Sequence, residues 1–349
     1  LPNLADIPNL AYRQGGEVIE NPIGYCATTA DLDRLDFADL SFLDHNREYF
    51  VHEYLVTDLP KARAALKTAP FLGRWVTTAR GCKYECSYCG GCKSAHKVLA
   101  ARDGIVPRSP EAVVDELGRL SASGVTQASL SYDIAEMGED HWRQFFSLLR
   151  RSGVRIGLYN ECFQLPSLQF VKRFVRAADL EHSCLAFSPL SGSERVRRLN
   201  GKIFSDAELI NILDYLNLSN IFAQIYFSLN LPGETDETLE ESIALAERLC
   251  DLYPPSCMRI LSSCHTLDPL SPMAVHPEKY AIDITMRSFS DWYTYCRETQ
   301  LSGPAARTEL HRGFVLNTEG GRSLEAMADR WDEARRGHEE CWWPIPPSW

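Results

Sequence analysis

The sequence predicts an α/β protein whose central part is a partial barrel of parallel strands. Between about residues 70 and 264, short apolar and β-branched runs alternate with amphipathic helical stretches. Strands are predicted at 74–78, 127–132, 155–159, 183–187, 222–229 and 258–262, and helices at 110–121, 140–151, 168–177, 206–216 and 236–250. Such alternation implies right-handed crossovers, in a barrel or an open doubly wound sheet, and six strands suit a partial (β/α)6, TIM-like barrel.

Helix starts within this region carry capping signals. Ser109 precedes Pro110, which is favoured at a first helical position, and Ser205 with Glu208 fits a capping box. In both candidate architectures the functional face lies at the carboxyl ends of the strands. Site residues are therefore expected directly after strands.

Two flanking parts complete the chain. Residues 1–70 are predicted to be a linker with a small hairpin around Gly15-Gly16, an aspartate-rich loop at 31–39 and a helix at 46–55. This part has too few apolar residues to form its own core, so we expect it to pack on another part. Residues 71–264 form the predicted barrel. Residues 265–349 are a mostly helical extension, with helices near 284–299 and 323–336.

Composition excludes several classes of protein. The 349 residues carry a net charge of −11, which argues against nucleic-acid binding because phosphate contacts need surplus basic charge. The longest uncharged run, 215–233, is too polar to span a membrane. The twelve cysteines are too sparse for a small disulfide scaffold, and no signal-peptide pattern precedes them. We therefore expect reduced thiols and a cytoplasmic protein.

The most informative segment is a cysteine loop just after the first predicted barrel strand. Cys82, Cys86 and Cys89 have the spacing C-x3-C-x2-C. Three thiolates from one loop can hold three irons of a 4Fe–4S cluster and leave the fourth iron open for chemistry. A structural zinc site is the first alternative, although Cys257 and Cys264 are poorly spaced as a second pair. A closed electron-transfer cluster with Cys92 as fourth ligand is the second.

With Tyr88 as the aromatic residue before the last cysteine, this loop resembles the hallmark of the radical S-adenosylmethionine (SAM) superfamily. The resemblance implies a partial (β/α)6 barrel whose open iron is chelated by the amino and carboxylate groups of SAM. It also implies cleavage of the sulfonium by an injected electron, which gives methionine and a 5′-deoxyadenosyl radical. The cofactors carry that chemistry, and the protein positions them and excludes water.

The resemblance continues beyond the cysteines and implies further cofactor contacts. The implied SAM-binding residues lie in the cysteine loop and after successive strands: Tyr88, Gly90, Gly91, Asp133, Glu161, Ser188, Ser193, Arg195 and Leu231. The fifth strand ends in the run 230–235, close to the usual Gly-Leu-Pro-Gly-Glu-Thr apart from Asn230. For the polar residues, a helix cap or a solvated loop is the alternative interpretation.

Residues 6–13 and 31–37, with Gly15-Gly16, resemble the connector of cobalamin-binding radical SAM proteins. That branch implies methylation of an unactivated carbon, or of phosphorus, in a small-molecule substrate. No D-x-H-x-x-G cobalamin motif is present, and the missing initiator Met fits removal of an upstream cobalamin domain. A cobalamin-independent rearrangement, dehydration or dehydrogenation is the alternative reaction. A non-catalytic iron–sulfur electron carrier is the alternative class.

Three smaller expectations concern charge and the C-terminal part. The cysteine loop is basic, through Arg74, Arg80, Lys83, Lys93, Lys97 and Arg102. This charge could steer an acidic flavodoxin-like reductant, or merely offset the charge of cluster and ligand. The aromatic run at 342–343 is interpreted as a docking or packing element. Cys264, Cys296 and Cys341 are interpreted as ordinary buried thiols.

Overall fold

The computed structural model describes residues 3–39, 41–44, 72–302, 312–317 and 323–345. Its centre is a six-stranded sheet with the order β10-β9-β8-β7-β6-β3 and parallel pairing throughout. These strands are β3 (Gly73–Val76), β6 (Gln127–Leu130), β7 (Gly157–Cys162), β8 (Cys184–Leu190), β9 (Phe222–Leu229) and β10 (Met258–Cys264). The predicted α/β partial barrel is confirmed.

Helices connect these strands and continue beyond them. They are α1 (Thr29–Asp33), α2 (Lys93–Ala100), α3 (Pro110–Ala122), α4 (Glu139–Ser152), α5 (Leu168–Ala177), α6 (Glu194–Leu199), α7 (Asp206–Leu218), α8 (Asp236–Leu252), α9 (Pro272–Val275), α10 (Phe289–Ser302) and α11 (Leu324–Arg335). The capping signals act as predicted: Ser109 accepts from Ala112 N–H at the start of α3, and Ser205 with Glu208 closes a capping box on α7.

Within the described ranges, three two-stranded ribbons accompany the sheet. They are the predicted hairpin β1 (Ala11–Gln14) with β2 (Glu17–Glu20), the pair β4 (Ala79–Cys82) with β5 (Gly104–Pro107), and the pair β11 (Ile282–Ile284) with β12 (Phe314–Leu316). The sequence did not predict the second and third ribbons. Because β11 occupies 282–284, the helix predicted from 284 begins only at Phe289.

The N-terminal part packs on the barrel, as its low apolar content suggested. The aspartate-rich loop prediction was partly wrong, because Thr28 caps the short helix α1 through a capping box with Asp31. Thr29 Oγ1 then donates to Pro107 O at 2.8 Å, and Asp33 accepts from Ser109 N–H at 3.0 Å. The helix predicted at 46–55 lies outside the described residues.

The C-terminal part covers the β10 edge of the sheet. Trp342 is fully buried, pairs with Ile260 through a parallel bridge and packs against Trp331 with ring centroids 4.5 Å apart. This contact supports the packing interpretation of the aromatic run. Cys264 and Cys341 are buried, but Cys296 is exposed on α10, so its predicted burial was wrong. Among the described helices, none is both long and apolar enough to cross a membrane.

The strands β7 and β10 each present one buried and one partly exposed face. On β7, Leu158, Asn160 and Cys162 are buried against the helices, while Tyr159 and Glu161 are only partly buried. The strand β10 alternates in the same way. Parallel strands covered by helices on both sides would be buried on both faces. The alternation therefore identifies a concave inner face that the helices leave open.

Candidate functional site

The cysteine loop lies between β4 and α2, beyond the carboxyl end of β3. Cys82 is the last residue of β4 and pairs with Gly104 on β5. Cys92 is the N-cap residue of α2 and is buried. Its thiol lies 3.1 Å from Ser94 Oγ. Cys82, Cys86 and Cys89 are each partly buried. The loop therefore places the three motif cysteines at the end of the barrel where parallel α/β folds carry their chemistry.

Backbone donors and mutual charge interactions link the motif thiols. Tyr84 N–H donates to Cys82 Sγ at 3.4 Å, and Gly91 N–H donates to Cys89 Sγ at 3.3 Å. Burial raises the pKa of Cys89 to about 11. The hydrogen bond from Gly91 lowers this pKa, and the nearby Cys86 and Cys82 thiols raise it further. Burial also raises the pKa of Cys86. Such donors suit sulfur that becomes anionic when it binds iron.

The three thiols do not converge on one point. Among the residues that the structure describes, no group of three His, Cys, Asp or Glu side chains could hold a single metal ion. In a 4Fe–4S cluster each cysteine binds a different iron, so its ligands surround a group of atoms rather than one ion. The partly buried loop and its N–H donors fit such a cluster, with Cys82, Cys86 and Cys89 as the residues that would hold it.

Residues 200–202 support the cysteine loop from the opposite side, a contact that the sequence did not predict. Ser87 donates its hydroxyl to buried Asn200. A Cβ on Gly201 would lie 3.0 Å from Cys86 Cα, so only glycine fits there without displacement. Lys202, which donates to Phe163 O at 2.8 Å, lowers the pKa of Cys86 against the larger effect of burial. The segment gives the site a buried cation.

Tyr88, Gly90 and Gly91 line the loop on the side of β10. Gly90 N–H donates to Asp268 Oδ2 at 3.1 Å, and a Cβ on Gly90 would lie 2.4 Å from Pro269 O. The Tyr88 ring packs edge-to-face on His265, with centroids 4.4 Å apart. Burial, with Arg312 and Lys202 nearby, lowers the pKa of His265 to about 4. The Gly90 contact explains why this position requires glycine.

Asp133 and Glu161 occupy different environments at the carboxyl edge. Asp133 is buried, and its carboxylate accepts from Ala135 N–H, Asn160 Nδ2 and Phe163 N–H at 2.9–3.0 Å. Burial raises the pKa of Asp133 to about 7 in spite of these bonds. Glu161 points to the concave face and accepts only from Ser188 Oγ, at 3.0 Å, among the hydrogen bonds described. Asp133 is thus suited to holding the following loop in place, and Glu161 is suited to contacting a ligand.

The remaining residues implied by the resemblance, after β8 and β9, differ in whether their side chains already have a partner in the protein. Ser193 is buried at the N-cap position of α6 and makes no side-chain capping bond. Arg195 donates to Gly233 O at 3.1 Å and is exposed. Leu231 is fully buried and packs with Leu190 and Val196. Ser188 and Ser193 can therefore face a ligand, whereas Arg195 is already engaged by the turn after β9.

That turn explains the departure at Asn230. Asn230 has φ +67°, a conformation that glycine and asparagine tolerate best among common residues. Its N–H donates to Glu234 Oε2 at 2.7 Å, and Leu231 N–H donates to the same oxygen at 3.3 Å. Asparagine therefore preserves the backbone shape that the usual glycine would give.

An aromatic layer crosses the concave face below the cysteine loop. Trp75 on β3 meets Tyr159 on β7 with centroids 6.3 Å apart, over Ser129 of the intervening strand. The Tyr159 hydroxyl lies 3.2 Å from that of Tyr226 on β9, which donates to Gln224 at 3.0 Å. Because these strands are not direct neighbours, their side chains can meet only inside the curve of the sheet. No motif predicted this layer.

Two of the six basic residues of the cysteine loop pair with carboxylates. Lys83 pairs with Glu136 at 2.5 Å, and Lys93 pairs with Asp103 at 3.1 Å. Arg74 donates to Phe37 O at 2.9 Å, and Arg102 donates to Cys26 Sγ at 3.3 Å. Both interpretations of the loop's basic charge, steering of a reductant and balance of the cluster and ligand charge, stay predictions.

Comparison with known proteins places this site in a family. The profile of the Radical SAM superfamily matches residues 76–246. Anaerobic magnesium-protoporphyrin IX monomethyl ester cyclase of Cereibacter sphaeroides is 26% identical over 249 residues, which are 69% of this chain and 36% of that protein. The radical SAM methyltransferase TsrM of Kitasatospora setae, with cobalamin and a [4Fe-4S] cluster bound, has a TM-score of 0.58 at 16% identity, over 82% of this chain and 54% of that one.

Residues 76–246 therefore form a radical SAM domain. This family implies a 4Fe–4S cluster and SAM as cofactors. The likeness to TsrM shows a shared fold. The chain spans about a third of the length of the cyclase and about half of the length of the TsrM chain.

Proposed function

We propose that this protein is a cobalamin-dependent radical SAM methyltransferase that acts on a small molecule. Cys82, Cys86 and Cys89 hold the 4Fe–4S cluster in this proposal, and SAM lies across the carboxyl edge of the sheet. The observation that carries the site is the cysteine loop itself, with backbone N–H donors on Cys82 and Cys89 and buried Lys202 beside Cys86. When bound, cluster and SAM together supply the cleavage of the sulfonium.

In this proposal, different described residues contact different parts of the cluster and of SAM. Lys202 supplies a positive charge near the cluster and near the carboxylate of SAM. Glu161, oriented by Ser188, accepts hydrogen bonds from SAM hydroxyl groups. Gly90 would supply backbone surface and Ser193 a hydroxyl donor, and buried Leu231 would support the site from below through its packing with Leu190 and Val196. Asp133 acts as a positioning residue, because its carboxylate already accepts three hydrogen bonds.

The methyltransferase proposal is supported by two lines that reach beyond the cysteine motif. TsrM, whose solved structure holds cobalamin, aligns over 82% of the chain. The N-terminal connector pattern, which resembles the cobalamin branch, forms the hairpin β1–β2 and the helix α1 that packs on the barrel. The aromatic layer of Trp75, Tyr159 and Tyr226 offers an apolar wall that carries hydroxyl groups, which suits a substrate with both apolar and polar parts.

Product analysis separates the candidate functions. The anaerobically reconstituted protein is incubated with SAM and a low-potential reductant, with and without cobalamin, and the products are quantified by mass spectrometry. Cobalamin-dependent release of S-adenosylhomocysteine supports methyl transfer. Release of only methionine and 5′-deoxyadenosine favours a cobalamin-independent radical reaction. An intact cluster that yields neither product set favours an electron carrier.

A matched pair of cysteine variants tests the assignment of the site. Cys86→Ala removes a proposed ligand, and we expect loss of cluster iron and at least a hundredfold lower SAM cleavage. Cys296→Ala removes an exposed thiol on α10 and serves as the control, with iron content and activity unchanged. Retention of a full cluster by Cys86→Ala would refute the assignment.

A further inference from the structure

Tyr132 follows β6 and is fixed in place by its backbone and its ring. Its N–H donates to Thr78 Oγ1 at 3.1 Å, and the same Thr78 hydroxyl lies 3.1 Å from Tyr132 O. The Tyr132 ring packs edge-to-face on Phe163, with centroids 4.9 Å apart. Both Tyr132 and Thr78 are almost fully buried. The side chain is therefore held in one orientation at the carboxyl edge.

The Tyr132 hydroxyl is a buried polar group without a hydrogen bond of ordinary geometry to any described residue. Burial raises the pKa of Tyr132, and the Cys82 thiol is the next largest cause. The hydroxyl is thus buried beside one of the three motif sulfurs. A buried hydroxyl normally has a partner, because leaving its hydrogen-bonding capacity unused is unfavourable.

We propose that Tyr132 donates its hydroxyl hydrogen bond to Cys82 Sγ when the cluster is bound, and thereby raises the reduction potential of the cluster. The inference rests on the proposed cluster site. A donor aimed at a ligand sulfur stabilises the added negative charge of the one-electron-reduced cluster, and hydrogen bonds to cluster sulfurs are among the factors that set such potentials. Tyr132 acts through Cys82 and is a positioning residue rather than a catalytic one.

The neighbouring Tyr84 supplies a matched control. It lies within the cysteine loop and is partly buried, and the Lys83 ammonium lies 5.3 Å from its ring centroid. Tyr84→Phe removes a hydroxyl at a similar place in the site but leaves Cys82 with its backbone donor. The two variants therefore separate a specific bond to sulfur from a general loss of polarity.

The test is a redox titration of the anaerobically reconstituted full chain, followed by electron paramagnetic resonance of the reduced cluster. Iron and sulfide analysis first establish that wild type and both variants hold equal cluster. Tyr132→Phe is expected to shift the midpoint potential to a lower value, and Tyr84→Phe to leave it unchanged. Equal potentials in wild type and Tyr132→Phe, or equal shifts in both variants, overturn the inference.

A second variant keeps the test decisive if Tyr132→Phe does not load its cluster. Incorporation of 3-fluorotyrosine at position 132 retains the hydroxyl and makes it a stronger donor, so the midpoint potential is expected to rise. An unchanged or lower potential contradicts the proposed bond. A wild-type protein that binds no 4Fe–4S cluster refutes the proposed function itself, which is a different outcome from an unshifted potential.

Discussion

The two faces of the central sheet differ sharply, although the same strands build them. The outer face carries Leu158, Ile225 and Ile260, all fully buried under the helices. The inner face carries Tyr159, Glu161 and Tyr226, which are only partly buried. Side chains alternate between faces along each strand, so neighbouring positions serve different purposes. The outer face stabilises the fold, and the inner face is left for ligands.

This difference separates stability from function at adjacent positions. A buried apolar side chain contributes through the area that it removes from water and through close packing. A polar side chain on an open face contributes little to stability, because water competes for its hydrogen bonds. Substitutions on the outer face should therefore lower the free energy of unfolding, and substitutions on the inner face should alter ligand binding.

The largest expected effect is on the outer side. Phe174 on α5 is fully buried and packs edge-to-face on Phe146, with centroids 6.1 Å apart. Phe174→Ala leaves a cavity, so we expect the free energy of unfolding to fall by about 3–5 kcal/mol. Urea denaturation followed by circular dichroism measures this change. Leu218→Ala, at an 84% exposed position of α7, is the control and should change stability by less than about 0.5 kcal/mol. Similar losses in both variants would contradict the prediction.

The next effect concerns the carboxyl edge, where a buried carboxyl should make stability depend on pH. Burial raises the pKa of Glu234 to about 8, although Oε2 accepts two backbone N–H groups. The folded protein thus holds this proton more tightly than the unfolded chain, whose pKa is near 4.5. The contribution is complete below pH 4.5 and is lost as the pH rises through 8.

Glu234→Gln removes this titration and retains an oxygen acceptor. We expect the stability of wild type relative to Glu234→Gln to fall by about 1 kcal/mol or more between pH 5 and pH 8. Urea denaturation at four pH values measures the difference, in which the titration of Asp133 cancels because both proteins contain it. The exposed Leu218→Ala, which removes no titratable group, should show a constant difference from wild type. A pH-independent difference for Glu234→Gln would count against its raised pKa.

Much of the fold could be predicted from sequence because its signals are local. The strand at 222–229 and the helix at 168–177 have the predicted bounds, and Ser109 and Ser205 begin their helices as expected. The cysteine spacing, together with the alternation of strands and helices, predicted a site at the carboxyl edge of the sheet. These features depend on neighbouring residues, so one sequence is enough to reveal them.

The missed features depend on contacts between distant parts of the chain. Lys202 meets Cys86 only when the segment after α6 folds back on the cysteine loop. Trp75, Tyr159 and Tyr226 form a layer only when three strands curve around one interior. The helix predicted from residue 284 begins only at Phe289, because Ile282–Ile284 pairs with Phe314–Leu316, which local periodicity does not reveal. In each case the feature depends on contacts between residues that are distant in the sequence.

The smallest expected effect on stability belongs to the inner face, where the effect on binding should dominate. Glu161 is partly exposed and accepts from Ser188 Oγ at 3.0 Å. Because Glu161→Gln removes a charged acceptor proposed for SAM, we expect about tenfold weaker SAM binding, which corresponds to about 1.4 kcal/mol. The free energy of unfolding should change by less than about 0.5 kcal/mol.

Calorimetry on the anaerobically reconstituted protein measures the affinity for SAM, and urea denaturation measures the stability of the same preparations. Glu181→Gln is the matched control, because this exposed carboxylate precedes β8, at the opposite end of the barrel from the cysteine loop. Equal SAM affinity in Glu161→Gln and Glu181→Gln would exclude Glu161 from the SAM contacts. A loss of stability in Glu161→Gln as large as that of Phe174→Ala would show that the inner face also holds the fold together.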